Sequence, residues 1–120
     1  MAVRKILCVD DSSADLINLE KIVTASGFHA LTSTSGKDAL VKAKSEKPNL
    51  IFLDVNMPEM DGFAVMRELK KDADIKDIPV VLITSKSQKA DKMWAQMQGA
   101  RGYVTKPYTA EQILEQIRNF

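Results

Sequence analysis

Four apolar runs in the chain each stop on a side chain able to do chemistry. Ile6-Leu7-Cys8-Val9 runs into Asp10-Asp11, and Leu50-Ile51-Phe52-Leu53 runs into Asp54, which opens the string DVNMPEMDG. Val80-Val81-Leu82-Ile83 ends at Thr84-Ser85, and Gly102-Tyr103-Val104 ends at Thr105-Lys106-Pro107. A short apolar run without polar alternation is the pattern of a strand buried on both faces, as in a parallel sheet covered by helices. In open sheets of that kind, ligands bind beyond the carboxyl ends of the strands. If the runs are neighbours, three carboxylates, a hydroxyl and an ammonium converge on one edge. That inventory suits a divalent metal plus a phosphoryl group.

Strand-like runs alternate with helical patterns five times, which predicts an α/β fold of the doubly wound (βα)5 type. After Asp11, Ser12 can cap a helix carrying Leu16, Leu19, Ile22 and Val23, with Gly27 placed to end it. The stretch from His29 to Ser33 is short and polar, as an edge strand often is. Ser35 is a second cap, before Ala39, Leu40 and Ala43, in a helix closed ahead of Pro48. Phe63, Met66 and Leu69 mark a third helix, and the polar segment KKDADIKDIP reads as a surface loop. Ala90, Met93, Trp94 and Met97 form a helical stripe stopped by Gly99, the expected fourth helix. Thr109 with Gln112 resembles a capping box opening a fifth helix with Ile113, Leu114, Ile117 and Phe120.

At 120 residues the chain has room for one domain with a real core. No linker, repeat or appended output segment interrupts it, so residues 1–120 are expected to form a single unit. A formal net charge of +1 provides no bulk field to recruit nucleic acid or an anionic membrane. The lone Cys8 rules out an internal disulfide and fits a reducing compartment. With no apolar stretch of spanning length and no signal-peptide pattern, the expected location is the cytoplasm.

Each candidate residue has a plain reading beside the chemical one. Asp10 and Asp11 suit a helix-capping acid beside a solvated one, or a pair held together by a hard cation that takes oxygen ligands. Asp54 is either a strand-end turn acid or a partly desolvated carboxylate in need of a partner, able to act as a nucleophile toward phosphorus. Thr84 at a strand end is commonly structural, and a Lys before Pro commonly faces solvent. Together they could instead hydrogen-bond and neutralise phosphoryl oxygens. Cys8 is expected to be buried and inert, and His29 to lie on the surface.

The acid pair after the first run, DxNMPxMDG after the third strand, Thr84-Ser85 after the fourth and Lys106-Pro107 after the fifth together resemble a response-regulator receiver domain of the CheY-like type. The resemblance spans essentially the whole chain. It implies a flavodoxin-like sheet of five parallel strands in the order 2-1-3-4-5. It also implies Asp54 as phosphoacceptor, and Mg²⁺ (or Mn²⁺) held by Asp10, Asp11, Asp54 and the backbone carbonyl of Asn56. Thr84, Ser85 and Lys106 would surround the phosphoryl group, with Tyr103 as an aromatic switch. Pro58 and Gly62 would shape the loop after Asp54, and the Lys106-Pro107 bond would be cis. Lys86, two residues past Thr84, occupies a position where the family varies and where the lifetime of the acyl phosphate is tuned.

The segment DKMWAQMQGARGYVTKP is similar to PilH-type single-domain receivers of the chemotaxis-like system that controls type IV pilus twitching. Trp94 either packs its helix on the sheet or touches a partner. The resemblance implies a signalling switch and not an enzyme. Its partners would be a histidine kinase and a downstream protein docking on the fourth helix, fifth strand and fifth helix. A flagellar chemotaxis receiver shares most of these features. An aspartate-nucleophile phosphatase of the haloacid-dehalogenase type would carry an acid two residues after its nucleophile, where this chain has Asn56. A pseudo-receiver would be expected to have lost one of the acids or the Lys.

Overall fold

A computed structural model describes residues 3–85 and 99–120. The helix expected from Ala90 to Met97, with Trp94, and also Lys86 lie outside the described residues. Five strands form one parallel sheet in the order β2-β1-β3-β4-β5: β1 Lys5–Val9, β2 His29–Ser33, β3 Leu50–Asp54, β4 Val80–Thr84 and β5 Gly102–Thr105. Among the described residues the helices are α1 Ser13–Ala25, α2 Gly36–Glu46, α3 Gly62–Lys71 and a C-terminal helix, Ala110–Arg118. The strand order implied by the resemblance is the one observed, with β2 at an edge.

Successive side chains along each strand part to the two faces of the sheet. Leu7, Val9, Ile51, Leu53, Val80 and Leu82 pack with residues of α2 and α3. Ile6, Cys8, Leu50, Phe52, Val81 and Ile83 pack against α1 and the C-terminal helix. All five residues of β3 and of β4 are buried, which explains why those runs carry no polar alternation.

The caps hold the helices where the sequence places them. Ser12 accepts from the Asp15 amide and Ser35 from the Asp38 amide. Thr109 and Gln112 make both halves of a capping box, satisfying two donors that a helix start leaves free. α1 gives way at Ser26 to Gly27, whose φ of +91° belongs to the left-handed region that glycine adopts freely.

Residues 72–79 of KKDADIKDIP form the expected polar loop before β4, with two departures. Lys70 and Lys71 complete α3, and Ile75 is 3% exposed within the core. Short turns from Asp72 to the amides of Ile75 and Lys76 fold the segment back, so its one central apolar side chain seals the end of α3. α3 likewise buries Val65 along with Met66 and Leu69, while Phe63 stays partly exposed.

Candidate functional site

Parallel pairing brings the strand ends into line: Val9 stands opposite Leu53, Asp54 opposite Ile83, and Thr84 opposite Thr105. Backbone bonding continues past the strands. The amide of Asp10 donates to Ser33 O at 3.1 Å, that of Val55 to Ile83 O at 2.8 Å, and that of Lys106 to Thr84 O at 2.7 Å. The site residues therefore sit on backbone as constrained as the sheet itself.

Asp10, Asp11 and Asp54 each place a carboxylate oxygen within 4.8 Å of the others. Asp10 and Asp54 are buried and Asp11 is exposed. Lys106 reaches over from β5, with Nζ 2.8 Å from Asp10 Oδ2, 2.9 Å from Asp15 Oδ2 and 3.8 Å from Asp54 Oδ1. The Lys106–Pro107 peptide bond is cis. Asp10 Oδ1 also accepts from the Ser12 amide at 2.9 Å, and Asp54 Oδ1 accepts from the Asn56 amide at 3.3 Å. Thr84 is 2% exposed at the end of β4, and next to it the Ser85 hydroxyl accepts from the Asn56 side-chain amide at 3.4 Å. Tyr103 lies a little apart, on β5, packed against the core on the α3 side of the sheet.

The loop after Asp54 is drawn tight. Met60 donates its amide to Pro58 O at 2.7 Å, and Gly62 donates to Val55 O at 2.9 Å. A Cβ on Gly62 would lie 2.6 Å from the Asp54 carbonyl oxygen and 2.8 Å from Val55 Cα, both backbone atoms. Only glycine lets the start of α3 approach the end of β3 so closely.

Burial, followed by the negative charge of Asp10, pushes the Asp54 carboxyl up to about 7; Lys106 and the Asn56 amide pull it back only in part, and Asp11 adds to the rise. Burial opposes charge on Lys106 too. The hydrogen bonds from Asp10 and Asp15 and the charges of Asp54 and Asp10 outweigh it and hold the ammonium above the ordinary lysine range. With more carboxylate than ammonium, the cluster is a set of hard oxygen donors suited to a divalent cation. Cys8, buried under the site, has its thiol pushed to about 12 by burial and then by Glu20, which makes it inert.

Sequence reasoning missed two residues here. Asp15 pairs directly with Lys106, although as an acid in the first turn of α1 it reads simply as a match to the helix dipole. Tyr108 has a buried hydroxyl with no hydrogen-bond partner among the described residues, and burial followed by the charge of Asp10 raises it to about 12. No local pattern marks either one, because both depend on α1 meeting the segment that follows β5. A surface cleft of about 460 Å³ between α2 and α3, lined by Leu40, Val41 and Ile75 among others, is separate from the carboxylates.

The family model described as response regulator receiver domain matches residues 6–118. Protein PilH of Pseudomonas aeruginosa is 40% identical over 113 residues, covering 94% of this chain and 93% of that protein. A probable transcriptional regulator, ycf27 of Porphyra purpurea, is 35% identical over 96% of this chain, which spans only 46% of its length. Among solved structures, the Vibrio cholerae chemotaxis protein CheY4 superposes with a TM-score of 0.92 at 29% identity, over 98% of both chains.

Proposed function

The chain belongs to the response regulator receiver domain family, and on that premise we propose that Asp54 accepts a phosphoryl group from the phosphohistidine of a histidine kinase. The observation that carries this reading is the position of Asp54: a carboxylate 3% exposed at the end of a central strand, beside two other acids and within 3.8 Å of an ammonium. In the transfer, an Asp54 carboxylate oxygen forms the new O–P bond as the N–P bond breaks, and the leaving imidazole takes up a proton. The nucleophile is the ionised form, which burial disfavours in the isolated protein.

Asp10, Asp11 and Asp54, with the backbone carbonyl of Asn56, would hold Mg²⁺ or Mn²⁺, which when bound supplies the positive charge that draws a carboxylate and a phosphoryl group together. The remaining steps belong to side chains of the protein. Lys106 neutralises one phosphoryl oxygen and the Thr84 hydroxyl donates to another. Ser85 is small and exposed, leaving a path for the phosphodonor. Movement of Thr84 toward the phosphoryl group shifts the population of Tyr103 rotamers, altering the surface of β5 and the C-terminal helix. A cavity of about 260 Å³ lies along that surface, between Tyr103, Val104 and Thr105 on one side and Gln112, Glu115 and Gln116 on the other. The identity with PilH over nearly the whole of both chains, together with the run from Trp94 through QGARGYVTKP, supports a place in a chemosensory system acting on type IV pili.

Acetyl phosphate with Mg²⁺ is expected to label the protein once, at Asp54, and Asp54→Asn to abolish that label. Peptide mapping that placed the phosphate mainly elsewhere would refute the assignment. Phosphotransfer profiling against the histidine kinases of the source organism then tests the chemosensory assignment, which predicts fastest transfer from the kinase of the pilus system.

A further inference from the structure

The Lys106 ammonium has three N–H donors, and two of them are already committed to Asp10 at 2.8 Å and Asp15 at 2.9 Å, while Asp54 stands off at 3.8 Å. The two close partners are not equivalent. The Asp10 side chain is 2% exposed, so losing Lys106 would leave its carboxyl in the interior without a cationic partner. The Asp15 side chain is 48% exposed and can take water in place of the ammonium at little cost. Asp15 also comes from a different element: it lies in the first turn of α1, with its amide bonded to the Ser12 cap and its carboxylate turned toward β5.

We propose that Asp15 is a positioning residue, a releasable counter-ion that holds Lys106 back from Asp54 in the resting protein and competes with the phosphoryl group for it. The proposal rests on the reading of Asp54 as acceptor and Lys106 as phosphoryl partner. An anion arriving on Asp54 must draw Nζ across a gap that Asp15 keeps open, and the restraint weakens the phosphorylated state relative to the resting one. The side chain never touches the reacting atoms and acts through Lys106 alone.

The test uses the whole chain with beryllofluoride, a phosphoryl mimic, at saturating Mg²⁺, with affinity read from amide shifts at Tyr103. Asp15→Asn removes the charge while keeping a similar shape, and is expected to tighten beryllofluoride binding by about two- to fivefold, the range an exposed ion pair supports. Nuclear magnetic resonance of the lysine side chains is expected to show Lys106 Nζ less restrained in resting Asp15→Asn, and Asp15→Glu is expected to restore part of the restraint. In a Lys106→Ala background, Asp15→Asn is expected to change the affinity no further. Unchanged or weaker binding in Asp15→Asn would overturn the proposal, as would the same tightening without Lys106, which would indicate a general charge effect. If Lys106→Ala alone left beryllofluoride affinity intact, or Asp54→Asn still bound it, the underlying site reading would fail instead. The resting-state resonance of Lys106 would distinguish that case, since it reports the Asp15 contact without any phosphoryl mimic.

Discussion

Asp10 and Asp54 close neighbouring strands and are 1% and 3% exposed, yet their oxygens meet different surroundings. Asp10 has a backbone amide at 2.9 Å and an ammonium at 2.8 Å. Asp54 has an amide at 3.3 Å and the same ammonium at 3.8 Å, with Asp10 itself as a repelling neighbour. The end of β1 is thus an electrostatically settled region, and the end of β3 is one where charge is held at a cost. A buried carboxylate left short of partners is high in free energy until something positive, or something covalent, arrives. On the proposed function, the acid held at a cost is the one that reacts, and the satisfied acid helps to hold the ammonium that assists it.

Removing the shared cation should break the contrast most severely. Lys106→Ala leaves both acids buried without it, and unfolding in urea at pH 8 under chelator is expected to show a loss of about 3 kcal/mol, the lower end for breaking a buried pair because Lys106 is itself partly exposed. Equal stability of the variant and the parent would mean that the ammonium settles neither acid.

Asp54→Asn should move stability the other way. The Asp54 carboxyl is raised from an ordinary 3.8 to about 7, so between those values the folded chain keeps a proton that the unfolded chain has released. Stability therefore falls as pH rises through that window, and the penalty is fully present above about 7. A gap of that size corresponds to at most ~4 kcal/mol, and structural relaxation and water penetration bring the expected gain from Asp54→Asn at pH 8 to about 2 kcal/mol. The gain should vanish below about pH 4, where the carboxyl is protonated in both states. Asp10→Asn is expected to bring no such gain, because it gives up the 2.8 Å ion pair. Matching pH profiles for the two variants would erase the distinction between the strand ends.

Asp11 gives the smallest effect and the sharpest control. It shares the carboxylate cluster without being buried, so Asp11→Ala should change stability by less than about 0.5 kcal/mol. Mg²⁺ affinity measured by calorimetry should nonetheless fall markedly. If it did not, Asp11 would be removed from the set of metal donors.

Much of this was legible beforehand, and the readable parts share a physical character. The runs at Leu50 to Leu53 and Val80 to Ile83 are apolar without alternation because both faces of their strands are covered, a constraint every residue of the run feels. Ser12, Ser35, Thr109 and Gln112 act on backbone amides within three residues, so their spacing alone reveals them. Ile75 was hidden in a polar segment, since scattered apolar residues among charges have no periodicity to show. The Lys106–Asp15 contact joins residues 91 positions apart and leaves no mark at either one.

The sequence by itself determined the layer architecture, the helix starts and the set of groups that meet at one edge of the sheet, because hydrophobic period and capping chemistry act locally. Strand order came with the family resemblance. Tertiary structure alone decided which acid Lys106 grips, how far it stands from Asp54, and that Asp15 also pairs with it. These are differences of about an ångström between charges brought together from separate elements, and both desolvation and Coulomb energy depend on such distances only once the chain has folded.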